Sequence, residues 1–275
     1  MKKITIRDIQ KLKGGDTPFA TITAYDYVSA QNADAVDIPL LLVGDSAAMV
    51  VYGMENTIPI SMDELIFLVR AVCRGTEKAL VVADMPFMSY QASVEDAVRN
   101  AGRFVKEGGA GAVKLEGGTA YISQIRAIID AGIPVMGHVG LLPQSFHLSS
   151  GYRIQGKTKF EAEKIYEDAL AVQESGAFSV VLEGIPADLA ERITETLEIP
   201  TIGIGAGPKC DGQIQVYHDL LGLYGDMVPK HTKQYCQLGT EIQNKLAEYK
   251  NEVEIRKFPS KEHFTTSKVQ LVETH

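Results

Sequence analysis

Five short apolar runs in this 275-residue chain end in a polar or charged residue just where a strand would give way to a loop. They are LLLVGDS, ending in Asp45 and Ser46; LVVADMP, with Asp84; GAVKLEGG, with Lys114 and Glu116; PVMGHVG, with His138; and SVVLEGI, with Glu183. Runs this short, bounded by Gly or Pro, mark strands buried on both faces, and so a parallel sheet. Charge set repeatedly at the carboxyl ends of parallel strands is how a (β/α)8 barrel assembles an active site. The pattern points to an enzyme, and three carboxylates among those residues, Asp45, Asp84 and Glu116, point to a bound divalent cation.

The rest of the chain repeats one unit: a strand-like run, a turn, then a helical pattern. Strands are expected at Phe19–Asp26, Leu40–Ser46, Ala79–Pro86, Ala110–Gly117, Ile133–Val139, Phe178–Ile185 and Pro200–Gly205, with a weaker eighth near Gln215–Leu221. The intervening helices carry start and stop signals. Ser61 to Glu64 spells a capping box ahead of an apolar stripe of Met62, Leu65, Ile66, Val69 and Cys73. Ser93 can cap a second helix that stops at Gly108-Gly109. A third runs from Phe160 to Gln173, and Pro186 opens a fourth. Eight such repeats favour closure into a barrel over a doubly wound open sheet, whose GxGxxG turn after the first strand is missing. One domain over residues 1–275 is expected, with a short basic helix within residues 2–14 and a polar tail from about residue 250.

Charge and thiol content narrow the function. A net charge of −8 without a basic stripe argues against nucleic acid. The longest apolar stretch, around Ile38–Val43, cannot span a bilayer, so no membrane role is expected. The opening MKKITIRDIQKLKGG has no apolar h-region, and Cys73, Cys210 and Cys236 have no CxxC spacing. Reduced thiols in a cytoplasmic protein are the expectation.

Asp45 and Asp84 each sit two residues beyond an apolar residue, Val43 and Val82, taken to face inward. A buried carboxylate needs a positive partner. A salt bridge or a helix cap would satisfy either aspartate alone, whereas both together with Glu116 suit a hard cation held by oxygen. Lys114 and Glu116, two apart on one strand, point the same way and form either an internal ion pair or a substrate-anion and metal site. His138 could orient substrate or carry a proton. Glu183 either caps the next helix or, beside a metal-bound keto acid, is the natural general base. GIGAG at Gly203–Gly207 could approach an anion, but a tight turn explains it equally well. His147 and Tyr152 lie in a long segment, Gln144–Lys157, that could form a lid.

The chain resembles the ketopantoate hydroxymethyltransferase family. The likeness is carried by TAYDYVSA, LLVGDSAAMVVYG, TIPISMDE, LVVADMPFMSYQ, AVKLEGG, PVMGHVGLLPQS, GYRIQGKT, VLEGIP, IPTIGIGAG and DGQIQVYHDLLGL, in family order over nearly the whole sequence. It implies a (β/α)8 TIM barrel of the phosphoenolpyruvate/pyruvate-binding type. It also implies Mg2+, 5,10-methylenetetrahydrofolate and 3-methyl-2-oxobutanoate as cofactor and substrates, and a homodecamer. By motif, Asp45, Asp84 and Glu116 match the metal positions. Asp45, Ser46, Asp84 and Lys114 match the keto-acid contacts, with His138 lining the same site, and Glu183 matches the proton acceptor. Met88 stands where that family has Gly. Isocitrate-lyase-like or phosphoenolpyruvate-mutase-like chemistry, or an inactive keto-acid-binding barrel, stays open at this point.

Overall fold

The computed structural model describes residues 3–149, 151–225 and 228–266. Its strands are β1 Phe19–Thr23, β2 Leu40–Val43, β3 Leu80–Asp84, β4 Ala112–Lys114, β5 Val135–Gly140, β6 Ser179–Glu183, β7 Thr201–Ile204 and β8 Gly212–Gln215. All pair in parallel and in sequence order, and β8 returns to β1 to close the barrel. Six strands fall within the expected runs, and β5 overruns its run by one residue, Gly140. The eighth lies upstream of the expected Gln215–Leu221, where Tyr217–Leu220 is a short helix instead. GQIQ carries a single apolar residue, so its alternation leaves almost no hydropathy signal; four register pairs with β1 make it a strand.

The helices begin where their capping residues predict. The Ser61 side chain accepts from the Glu64 N–H, and the Glu64 carboxylate accepts from the Ser61 N–H at 2.8 Å, opening Met62–Gly75. Thr158 and Glu161 do the same ahead of Lys159–Glu174. The helix from Val94 ends as one π turn, Phe104–Gly108, and stops at Gly109 with φ 82°. Its stop signal is where the glycine pair predicts.

Inside the barrel, Leu40, Leu42, Val82, Met136, Val181 and Ile214 meet in one apolar core. The helix Ile6–Gln10 sends Ile9 into that core, fully buried, while Ile4, Ile6 and Leu12 pack against it. Asp211 fastens this segment: it accepts from the Gly14 N–H and from Lys13 Nζ, and also from the Thr201 N–H and hydroxyl on β7.

By internal contacts the chain forms two compact units, the barrel unit running to Tyr217 and taking in Lys230–Thr232, the other starting at His218. The second contains a 17-residue helix, Leu238–Glu254, so the expected polar tail starts inside a helix. Among the described residues no helix is long and apolar enough to cross a membrane.

Candidate active site

Parallel register aligns the inward side chains of neighbouring strands, so the barrel core turns polar at one level. Asp84 pairs with Lys114, and both continue the inward rows of Val82 and Ala112. His138 pairs with Val181, two residues before Glu183 on β6. Asp84, Lys114 and Glu183 are the last residues of their strands, and Glu116 lies two beyond β4. Gly140, at φ 98°, pairs with Glu183; a side chain there would collide with the Glu183 carbonyl, so β5 and β6 approach this closely only through glycine.

Asp45 reaches the same level by another route. Leu42 pairs with Val82 and faces the core, which turns Val43 outward, contrary to the expected phase. Strand β2 ends at Val43, and the turn at Gly44 redirects the chain so that the Asp45 N–H donates to Asp84 Oδ2 at 3.2 Å. The pleat does not deliver Asp45; the turn does.

The resulting cluster is dry. Asp45, Asp84, Lys114, Glu116 and His138 are each no more than 4% exposed. Lys114 Nζ donates to Asp84 Oδ1 at 2.7 Å. Burial alone would push the lysine pKa down, but Asp84, Glu116 and Asp45 outweigh it and hold the ammonium charged. Burial, with Asp84 alongside, pushes the Asp45 carboxyl up to about 7. Burial raises Glu116 well above the carboxylate range, with Asp45 and Asp84 adding to the effect. His138 lies 3.3 Å from Glu183 Oε2 and 3.7 Å from Glu116 Oε1. Burial, then Lys114, lowers its pKa, so the imidazole is neutral at pH 7. Glu183 is the more accessible carboxylate, its side chain 17% exposed.

Four carboxylates thus share one lysine, and neither His138 nitrogen nor Glu116 Oε1 has a hydrogen-bond partner among the described residues. Such a set lacks positive charge and fits a divalent cation with oxygen ligands. The ligands are not already gathered: among the described residues, no three His, Cys, Asp or Glu groups stand close enough to enclose an ion.

Other expected residues lie nearby or elsewhere. The Ser46 hydroxyl sits 2.8 Å from the Tyr25 hydroxyl. The Tyr152 hydroxyl donates to Met49 Sδ at 3.6 Å, and burial followed by Asp45, Glu183 and Glu116 pushes its pKa up to about 12, so it senses the carboxylate cluster. The GIGAG glycines serve packing: Gly207, at φ 79°, leaves no room for a side chain against Ala187. The three cysteines are free thiols, and burial raises Cys73 and Cys210. Two neutral residues of the site, Gln144 and Tyr90, carry no catalytic signature in the sequence. Both are buried among the acidic groups, and their only sequence trace was position within LPQS and MSYQ.

The profile described as ketopantoate hydroxymethyltransferase matches residues 3–261. The 3-methyl-2-oxobutanoate hydroxymethyltransferase of Moorella thermoacetica is 54% identical, over 95% of this chain and 97% of its own length. That of Trichlorobacter lovleyi is 55% identical, over 95% and 98%. Among solved structures, phosphonopyruvate hydrolase with oxalate and Mg2+ superposes with a TM-score of 0.60 at 14% identity, covering 79% of this chain and 81% of that one. Phosphoenolpyruvate phosphomutase from Streptomyces platensis subsp. rosaceus gives 0.62 at 13% identity, covering 91% and 88%. These structures share the barrel. The chain belongs to the ketopantoate hydroxymethyltransferase family, and it is a hydroxymethyltransferase of the first step of pantothenate synthesis.

Proposed function

We infer that this enzyme transfers a hydroxymethyl group from 5,10-methylenetetrahydrofolate to 3-methyl-2-oxobutanoate. The products are 2-dehydropantoate and tetrahydrofolate, with one water consumed. The observation that carries the chemical reading is one polar level at the carboxyl end of the barrel, where Asp45, Asp84 and Glu116 act on Lys114 and Glu183 stands beside His138. Asp45, Asp84 and Glu116 would hold Mg2+, which when bound supplies Lewis-acid stabilisation to the oxygens of the 2-oxo acid.

The remaining steps belong to side chains. Lys114, kept charged by its carboxylate neighbours, faces the negative charge of the substrate and of the enolate. Asp84 fixes the ammonium in place. Ser46 and His138 contribute neutral hydrogen-bonding groups to the keto acid. Glu183 takes the C3 proton, and its greater exposure keeps it open to substrate. The enolate carbon then attacks the methylene of the folate, forming the new carbon–carbon bond as one methylene C–N bond breaks. Water replaces the second nitrogen and supplies the hydroxyl. The proton taken from C3, together with one from water, restores the two folate N–H groups and releases tetrahydrofolate. Isocitrate-lyase-like cleavage and phosphoenolpyruvate-mutase-like chemistry are disfavoured: 13% identity to a phosphomutase contrasts with 54% to a hydroxymethyltransferase.

The enzyme works in the cytoplasm, in keeping with its three free thiols. It assembles as a homodecamer. Helix Leu238–Glu254 buries none of its residues and leaves Ile242, Leu246, Tyr249 and Val253 exposed along one stripe, an apolar face suited to a second copy.

The test is 2-dehydropantoate formation with Mg2+ and with excess EDTA. Metal-dependent product supports the reading, and its absence with both substrates present overturns it. Glu183→Gln is expected to abolish solvent exchange of the C3 proton while keto-acid binding stays within a few-fold of wild type. Normal exchange in that variant removes Glu183 as the base.

A further inference from the structure

Gln144 sits in the short 3-10 turn Pro143–Ser145 beyond β5, 4% exposed, and reaches the loops that follow three other strands. Its carboxamide is fully used. Nε2 donates to Asp45 Oδ2 at 3.1 Å and to the Met85 carbonyl at 2.8 Å. Oε1 accepts from Gln91 Nε2 at 3.1 Å and lies 3.0 Å from the Tyr90 hydroxyl, whose single proton is shared between this oxygen and the Glu116 carbonyl at 3.1 Å. Reversing the amide would set its oxygen against a carbonyl and a carboxylate, so chemistry assigns this orientation. The backbone N–H of the same residue donates to Glu116 Oε2 at 3.1 Å, while Glu116 Oε1 remains without a partner.

One residue therefore holds one oxygen of Asp45 and one oxygen of Glu116. Both donors are neutral. A lysine or arginine in this place would orient the carboxylates but cancel the charge that attracts a cation. An amide orients them and leaves their charge intact. Tyr90 steadies the amide from behind, its hydroxyl also accepting from the Glu116 N–H at 3.2 Å.

We propose that Gln144 is the positioning residue of the cation site, setting the Asp45 and Glu116 carboxylates for Mg2+, with Tyr90 as its brace. The proposal rests on the Mg2+ reading given above.

The experiment is calorimetric titration of Mg2+ alone into the full-length protein, for wild type, Gln144→Met and Tyr90→Phe. Thermal unfolding without metal is recorded beside each titration. Methionine keeps the length and burial of the side chain and removes the carboxamide that holds Asp45, while the backbone N–H to Glu116 stays, so the loss measured is that of the Asp45 contact. Groups that orient metal ligands typically contribute about 10–100-fold to affinity, so Gln144→Met is expected to weaken Mg2+ at least tenfold, and Tyr90→Phe by a smaller factor. Keto-acid affinity at subsaturating Mg2+ falls in parallel and recovers at high Mg2+, which a purely structural role would not produce. Unchanged Mg2+ affinity in a folded Gln144→Met overturns the proposal and leaves the reaction assignment standing. Wild type that takes up no Mg2+ overturns the proposal and the Mg2+ reading together. Should Gln144→Met fail to fold, Tyr90→Phe decides: wild-type Mg2+ affinity in that variant overturns the proposal.

Discussion

Met88 is held at φ 66°, the left-handed region that a side chain disfavours. The Ser89 N–H closes a turn onto the Pro86 carbonyl at 3.0 Å, and Met88 occupies its third position. Phe87 is not in the left-handed region, so the turn has the type II pattern, which calls for glycine at that place. Methionine at this place is therefore local backbone strain, two residues ahead of Tyr90. Met88→Gly relieves the strain but loosens the unfolded chain; the first effect is the larger, for a net gain of about 0.5–1 kcal/mol. Urea unfolding of the two proteins checks this, and a less stable glycine variant would show the turn to be relaxed with methionine. At the same scale, the chemistry of the site follows from environment: Asp45 reaches about 7 because it is buried beside Asp84.

Among elements, the joint between the amino-terminal segment and β7 rests on Asp211. Burial tends to raise its pKa, but the N–H groups of Thr201 and Gly14, with Lys13, outweigh that and hold it below 3.8. The native state thus prefers the charged form. Its contribution is complete above the unfolded value of 3.8 and is lost as pH falls through the lower folded value. Asp211→Asn is expected to cost about 2 kcal/mol near neutrality, because charged hydrogen bonds are lost and Lys13 is left part-buried. The gap to wild type narrows as pH falls below 3.8, the more so the further it falls. Denaturant titrations at pH 7 and at pH 3 measure it, and an equal gap at both would remove the charge from the account. Ile9→Ala in the same segment opens a cavity in the barrel core and costs about 2–4 kcal/mol, read in the same unfolding experiment.

For the whole molecule, the helix Leu238–Glu254 carries the assembly prediction. Ten copies of a 29.9 kDa chain give about 300 kDa by light scattering. Leu246→Glu combined with Tyr249→Glu places charge in the exposed stripe and is expected to lower that mass. A double variant that keeps the wild-type mass would show that this face makes no essential contact.

Strand number, parallel order and the acidic strand ends could all be read from residues a few positions apart, because burial on both faces and helix capping leave periodic, local traces. LLLV, LVVAD and SVVLE announce themselves as buried strands; GQIQ does not, since its pairing with β1 rather than its hydropathy makes it one. The helix Leu238–Glu254, which buries none of its residues and whose start has no side-chain cap, is hidden from a sequence reading for a similar reason. At the site, residue types and their level in the barrel were visible beforehand, whereas partnerships were not. Asp84 faces Lys114 across neighbouring strands; Asp45 arrives by a turn out of phase with β2; and Gln144 reaches Asp45 and Glu116 across 99 and 28 residues of sequence. Hydrogen bonds over such separations have no period to betray them, and they exist only once the barrel closes and brings the loop ends within 3 Å or so of one another.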